Sequence, residues 1–339
     1  MRRIWAVLAL IAVVAGAGTF LYLRAEQQGG RSSQIPSHKP EHIVINEAVH
    51  TLLYLPIYHA IDRGYFRDEG LDVQLVTGGT ATNAFSAMTT GHADFAVADP
   101  MYVPISREKG ADTKVVGQIV SRIAIWALAR NPSVQSFNYA EVVNKTVVTH
   151  PRPMTAYTYT ANYLQSQGLK IGENVQLTQA TPGTEVAVFL AGRADFVVTL
   201  EPGASTAEAG GGHVVYSWPD ALGDLIFTAL MTREQTIKQH RTMVLKVIRA
   251  LYRSFDDLRK NRSAALSTAK KYFPQIDSQI LQTAIDRLIK DRVFPDSPII
   301  SRASWKRAVL ARLQIGDLKG PAPYDSNIDS ALIAEARPK

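Results

Sequence analysis

Two short apolar runs in this chain end in an acid followed by proline. Phe95-Ala96-Val97-Ala98 leads into Asp99-Pro100, and Phe196-Val197-Val198-Thr199-Leu200 into Glu201-Pro202. A carboxylate at the carboxyl end of a strand has two ordinary uses. It caps loop backbone, or it meets an amine, amidine or protonated ring nitrogen through a charge-assisted hydrogen bond. As a pair, Asp99 and Glu201 also have the composition of a general acid and base. Tyr54 and Tyr157 stand beside comparable helix starts and offer rigid aromatic surface with hydroxyl donors. Thr77-Gly78-Gly79-Thr80-Ala81-Thr82 permits close backbone approach at Gly78 and Gly79 and supplies the hydroxyls of Thr80 and Thr82. Arg122 and Arg152 are the basic candidates for an acidic ligand, with surface placement as the competing account of each. His50 and His150 occupy equivalent positions, where each either contacts ligand or satisfies backbone at a strand end. Asp94 and Asp195 follow helix-to-strand corners and read as caps of local amides.

Other chemistries find no residues. The chain has no cysteine, which removes disulfides, thiolate metal sites, a thiol nucleophile and attachment through an N-terminal lipidated cysteine. Its eight histidines include no His-Glu-x-x-His. There is neither a Gly-x-Ser-x-Gly elbow nor a phosphate loop. The expectation is therefore a binding protein without metal or cofactor.

The elements that must position these residues repeat. Residues 42–100 alternate β-branched runs with helical patterns in the order strand, helix, strand, helix, strand, which predicts a parallel sheet with helices on its faces. The order returns about a hundred residues later. Gly91-His92-Ala93-Asp94-Phe95 is echoed by Gly192-Arg193-Ala194-Asp195-Phe196, and Gly70-Leu71 by Gly168-Leu169. Two such units predict two α/β lobes. Their strand-end loops (48–54, 77–83, 99–102, 150–157, 180–185 and 200–205) would line one cleft, beside helix N-termini that expose backbone N–H groups.

Five domains or segments follow: 1–41 as a signal or membrane anchor plus linker, 42–121 as lobe one, 122–234 as lobe two, 235–319 as a helical return packing on lobe one, and 320–339 as a loosely held tail. A strand at 225–231 is expected to close lobe two, and the return is expected to open with one helix over 235–260. Met1-Arg2-Arg3 precedes an uncharged apolar stretch at 4–23, long enough to cross a bilayer, with Trp5 and Tyr22 at interfacial positions. An uncleaved anchor and a signal peptide cut near Ala15 and Ala17 both fit it, and both place the body outside the cytoplasmic membrane. Net charge is +7, but five basic residues and one acid in the first forty leave the remainder at only +3, and no basic stripe with interleaved aromatics argues for nucleic acid.

Tyr54-Leu55-Pro56-Ile57-Tyr58-His59-Ala60-Ile61-Asp62-Arg63-Gly64-Tyr65-Phe66-Arg67-Asp68-Glu69-Gly70-Leu71-Asp72-Val73 resembles the opening of periplasmic solute-binding proteins for nitrate, sulfonates, taurine and thiamine pyrimidine precursors. The Gly78-Gly79-Thr80 loop, the two Ala-Asp-Phe corners and Glu201-Pro202 fit the same family across roughly 42–312. The resemblance implies a two-lobed type II periplasmic-binding-protein fold, α/β with mostly parallel sheets and flanking helices. It also implies capture of a small solute in a closing cleft and delivery to an ABC permease and its ATPase subunit. It assigns Tyr54, the Gly78–Thr82 loop, Thr155 and Tyr157 at a helix start, and Glu201 to the ligand-facing side. His150-Pro151-Arg152-Pro153-Met154-Thr155 departs from the family's usual glycine- and serine-rich second loop. The expected function is an extracytoplasmic solute-binding component of an ABC importer, in the periplasm or on the outer face of the membrane. Its ligand would be a small nitrogen- or sulfur-containing organic solute or anion, with Glu201 selecting a basic group. A small-metabolite enzyme on the same fold and a membrane-anchored ligand sensor are the alternatives.

Overall fold

The computed structural model describes residues 39–152, 154–314 and 318–338; the expected anchor or signal at 4–23 lies outside them. Among the described residues, ten strands form two five-stranded sheets. The first contains β1 (Glu41–Glu47), β2 (Leu71–Thr77), β3 (Phe95–Ala98) and β4 (Thr113–Val120). The second contains β5 (Trp126–Ala129), β6 (Thr146–Thr149), β7 (Gln176–Gln179), β8 (Phe196–Thr199) and β9 (His213–Ser217). β10 (Thr228–Arg233) returns to the first. The orders are β2-β1-β3-β10-β4 and β7-β6-β8-β5-β9. In each, the fourth strand runs against its neighbours while the other four share one direction.

The sequence repeat is a repeat of hydrogen bonds. Gly91 and Gly192 take φ of +85° and +74°, a left-handed turn that glycine adopts without a Cβ penalty. Three residues on, the Asp94 carboxylate accepts from the Val44 amide at 2.8 Å, and Asp195 from the Thr146 amide at 2.9 Å. Each aspartate pins its corner to the neighbouring strand, at the middle of β1 and the start of β6, so the amides they cap lie across a strand pair and not in the corner itself.

Residues 228–233 correct one expectation. They do not close the second unit but enter the first sheet between β3 and β4. Their start, Thr228-Ala229-Leu230-Met231, is buried on both faces and suits the centre of either sheet, so composition does not choose between them.

The helical return also differs. His240 breaks it into Glu234–Gln239 and Arg241–Lys260. The Arg241–Lys260 helix packs on the Leu55–Asp62 helix of the first half, where Ser254 Oγ donates to the Pro56 carbonyl. The Arg262–Tyr272 helix packs there too, through buried His59, whose Nδ1 meets Thr268 and whose Nε2 meets Asp257. Burial holds the His59 pKa below its ordinary value, against the pull of Asp257. The Ser278–Lys290 helix, however, packs on Gly203–Ala209 in the second half. The return therefore straddles both sheets instead of packing on lobe one alone. The terminal residues are held as well. Ile328 bridges to Val115, the Asp329 amide donates to the Val115 carbonyl, and Leu332 and Ile333 are buried. No helix among the described residues is long and apolar enough to cross a membrane.

Ile285 lies fully buried on the straddling helix, whereas Ile299 is 43% exposed. Ile285→Ala should lower the unfolding free energy by about 2–5 kcal/mol, and Ile299→Ala by about 0.5 kcal/mol or less. Urea titrations compare the two; equal losses would mean the helix does not carry the core.

Candidate functional site

The carboxyl edge of the first sheet is organised by Glu47, the last residue of β1. It is wholly buried, and a buried carboxylate requires partners. Tyr58 donates to it at 2.5 Å and Thr77 at 2.8 Å, and His50 Nδ1 lies 3.1 Å away. That hydrogen bond raises the His50 pKa above its ordinary value, with burial opposing. Phe273 stacks on His50 at 4.7 Å and Tyr272 on Tyr58 at 4.5 Å, so the end of the Arg262–Tyr272 helix fixes the loop. Tyr54 is buried in the same place. Its hydroxyl meets Thr228, and burial together with the Glu47 and Asp99 charges pushes its pKa up. It is a structural wall of this edge and presents almost no surface.

The neighbouring loop is open. Gly79 has φ +78°, and a Cβ on Gly78 would come within 2.8 Å of Asn46 Oδ1 and 2.9 Å of the Ala84 amide, which explains the glycine pair. Thr80 caps the Ala81–Thr89 helix by accepting from the Asn83 amide at 3.1 Å. Thr82 Oγ1 lies 2.8 Å from the Tyr102 hydroxyl, tying this loop to the one after β3. Gly79, Thr80 and Thr82 are exposed.

The second sheet repeats the buried pair with different residues. His150 Nε2 lies 3.2 Å from Glu185 Oε1, and both side chains are 2% exposed. Thr199 donates to Glu185 at 2.7 Å, as does the Gly183 amide. Burial works to raise the Glu185 carboxyl, but these partners outweigh it and hold it below its ordinary value. Next to this pair the Thr155–Ser166 helix begins at Met154, whose side chain makes no cap bond to the first amides. Arg152 stands over the ring of Tyr157 at 4.6 Å and donates to its hydroxyl at 2.7 Å. Tyr157 is buried; Arg152 is exposed and Thr155 half-buried.

The two edges meet at Asp99 and Thr155, which line one cavity with Ile123, Tyr159, Phe227 and Arg312. Its volume is about 10 Å³, the size of a single water probe. Asp99 accepts from the Met101 amide at 2.9 Å and pairs with Arg312. Of the expected residues, the structure thus gathers Asp99 and Thr155 at the seam. Tyr54, Tyr157 and the loop holding Gly78, Gly79, Thr80 and Thr82 do not line that cavity; Tyr54 feels the Asp99 charge, and Thr82 is bonded to Tyr102, just after Asp99. Glu201 departs from this group. Its carboxylate accepts from the Ser205 amide at 3.0 Å and hydroxyl at 2.9 Å, and Arg287 Nε lies 2.6 Å away. Arg287 also pairs with Glu208. Buried, with these partners, Glu201 offers no surface to a solute. Glu47, Glu185, Arg287 and Arg312 were not singled out by sequence reasoning. The arginines sit on the helical return, and nothing local marks them as partners of strand-end acids.

Residues 53–265 match the profile of the NMT1/THI5 like family. The chain belongs to that family. YtlA of Bacillus subtilis (strain 168), named as a candidate binding protein, is 22% identical over 295 residues, spanning 86% of this chain and 88% of YtlA. The periplasmic aliphatic sulphonate binding protein SsuA from Escherichia coli superposes with a TM-score of 0.68 at 16% identity, over 87% of this chain and 99% of SsuA. The desulfurization enzyme DszB superposes with a TM-score of 0.64 at 13% identity, over 87% of this chain and 98% of DszB. These likenesses establish the fold, a two-lobed periplasmic-binding-protein architecture of type II.

Burial raises the Glu201 carboxyl above its ordinary value, against the pull of Arg287 and Ser205. The folded chain therefore holds that proton more tightly than the unfolded chain, and stability from this group falls as pH rises above the unfolded pKa. Removing Arg287 raises the pKa further. Arg287→Met should cost about 3–5 kcal/mol at neutral pH, and the deficit should shrink on acidification as Glu201 takes up a proton. Urea unfolding at neutral and mildly acidic pH measures it; a deficit that grows on acidification would show the pair is not the cause.

Proposed function

We propose that this protein is the extracytoplasmic solute-binding component of an ABC importer, and that its solute is a small anion held between the carboxyl edges of the two sheets. Nitrate, sulfonates and anionic nitrogen heterocycles have the right chemistry. The carrying observation is the imbalance of charge at the seam. Glu47, Asp99, Glu185 and Glu201 are each engaged by protein partners. What stands open is the Thr80-capped start of the Ala81–Thr89 helix and Arg152, and the start of the Thr155–Ser166 helix has no side-chain cap. Helix N-termini and a guanidinium favour anionic oxygens. This replaces the expected selection of a basic group by Glu201.

A cavity of about 10 Å³ admits no solute of this size. Binding then requires the two lobes to part and close again, through the crossings at 121–125 and 218–227. The closed form would dock on a permease served by an ATPase subunit, and segment 1–41 would export or anchor the chain on the outer face of the membrane. Catalysis is the less favoured reading because the histidine–carboxylate pair of the second sheet is sealed from solute.

Isothermal titration of the purified chain against nitrate, taurine, methanesulfonate and a cationic control, benzylamine, tests this directly. At least one anion should bind saturably and be recovered unchanged, and Arg152→Gln should weaken it by roughly tenfold or more. Binding of the amine alone, or recovery of a transformed ligand, would refute the assignment.

A further inference from the structure

A second cavity, of about 400 Å³, adjoins the seam, with which it shares Tyr159, Leu225 and Arg312, and opens between the second sheet and the Arg302–Gln314 helix. This is within the range of about 300–1,000 Å³ in which small-molecule sites fall. One wall is aromatic. Tyr163 and Tyr216 lie 4.4 Å apart, and Trp218 meets Tyr216 edge-on at 4.7 Å. Phe137 stacks behind Tyr163 at 5.6 Å, nearly parallel, which leaves the wall little freedom to turn. The other wall is the aliphatic face of Leu310 and Ala311. Leu310 is 47% exposed although its neighbours Ala308 and Val309 are buried in the core. An aromatic wall facing an aliphatic one admits a flat ring.

The charge of the cavity has one sign. Arg307 supplies it, Arg312 also lines the cavity but is paired with Asp99, and none of the described residues lining it is acidic. Arg307 donates through Nε, at 2.6 Å, and Nη2 to the backbone carbonyl of Asp224. A carbonyl orients the guanidinium without cancelling its charge. The nearby Asp224 carboxylate is engaged by Arg122 Nε at 3.0 Å. Burial pushes up the pKa values of Tyr163 and Tyr216, so their hydroxyls stay protonated and remain donors at neutral pH.

We propose that this slot is a second ligand site, which takes a planar aromatic ring bearing a carboxylate or sulfonate. The ring lies between the tyrosine–tryptophan wall and Leu310, and the anionic substituent reaches Arg307. The slot borders the anion site at the seam through Tyr159 and Arg312, and the ring contacts and Arg307 belong to the slot alone.

Naphthalene-2-sulfonate is the probe, titrated calorimetrically into the full chain alongside 2-naphthylmethylamine, with the same ring and opposite charge. Saturable binding of the sulfonate and none of the amine is expected. Asn162 lines the slot from an exposed position on the Thr155–Ser166 helix, so Asn162→Trp should fold and abolish that binding. Arg307→Gln should weaken it by roughly tenfold or more, while Arg152→Gln at the seam leaves it unchanged. Sulfonate binding that survives Asn162→Trp and disappears in Arg152→Gln would place the probe at the seam and overturn the proposal. Equal binding of the amine, or no saturable binding, would overturn it too.

Discussion

Each sheet is completed by a strand that the other half of the chain delivers. β5 follows β4 in sequence but fills the fourth place of the second sheet, and β10 follows β9 but fills the fourth place of the first. β5 is buried throughout and β10 up to Arg233, and both run against their neighbours, so neither sheet closes its core without the exchange. The chain must then cross between the sheets twice. Those crossings hold the two carboxyl edges close, and the Asp99–Thr155 cavity lies between them. The site is a consequence of how the sheets share strands, before any particular side chain is considered.

Burying strand ends imposes a second condition. Glu47, Glu185 and Glu201 all lie in places from which water is excluded, and an ionised carboxylate there needs donors. The chain meets this need three times in different ways. Tyr58, Thr77 and His50 serve Glu47; Thr199, the Gly183 amide and His150 serve Glu185; Ser205 and Arg287 serve Glu201. The electrostatic result is a pair of strand edges whose acids are spoken for by the protein itself.

The return helices turn this local chemistry into architecture. Arg262–Tyr272 is bound to the first half through His59, Thr268 and the Tyr58–Tyr272 stack. Ser278–Lys290 is bound to the second half through Arg287, and Trp126 Nε1 donates to Asp291 at 2.9 Å. Burial, with Asp220 nearby, raises the Asp291 carboxyl above its ordinary value. The short connection between the two helices thus joins elements that pack on different sheets, and it links the two halves in addition to the strand crossings.

The periodicity of 42–100 and its echo around 145–202 determined by themselves that there would be two α/β units, where their corners fall, and that Asp94 and Asp195 would be caps. Those features depend on contacts between neighbours in sequence or across one strand pair, and pattern carries them. The membership of β10, the straddling return and the fate of Glu201 were decided only by tertiary structure. An apolar strand buried on both faces carries no mark of which sheet receives it. A strand-end acid is placed at an edge by sequence, yet whether it faces a solute or an arginine depends on a helix more than seventy residues away. Where Arg287 arrives, Glu201 ceases to be a candidate for binding and becomes a joint between the return helix and the second sheet.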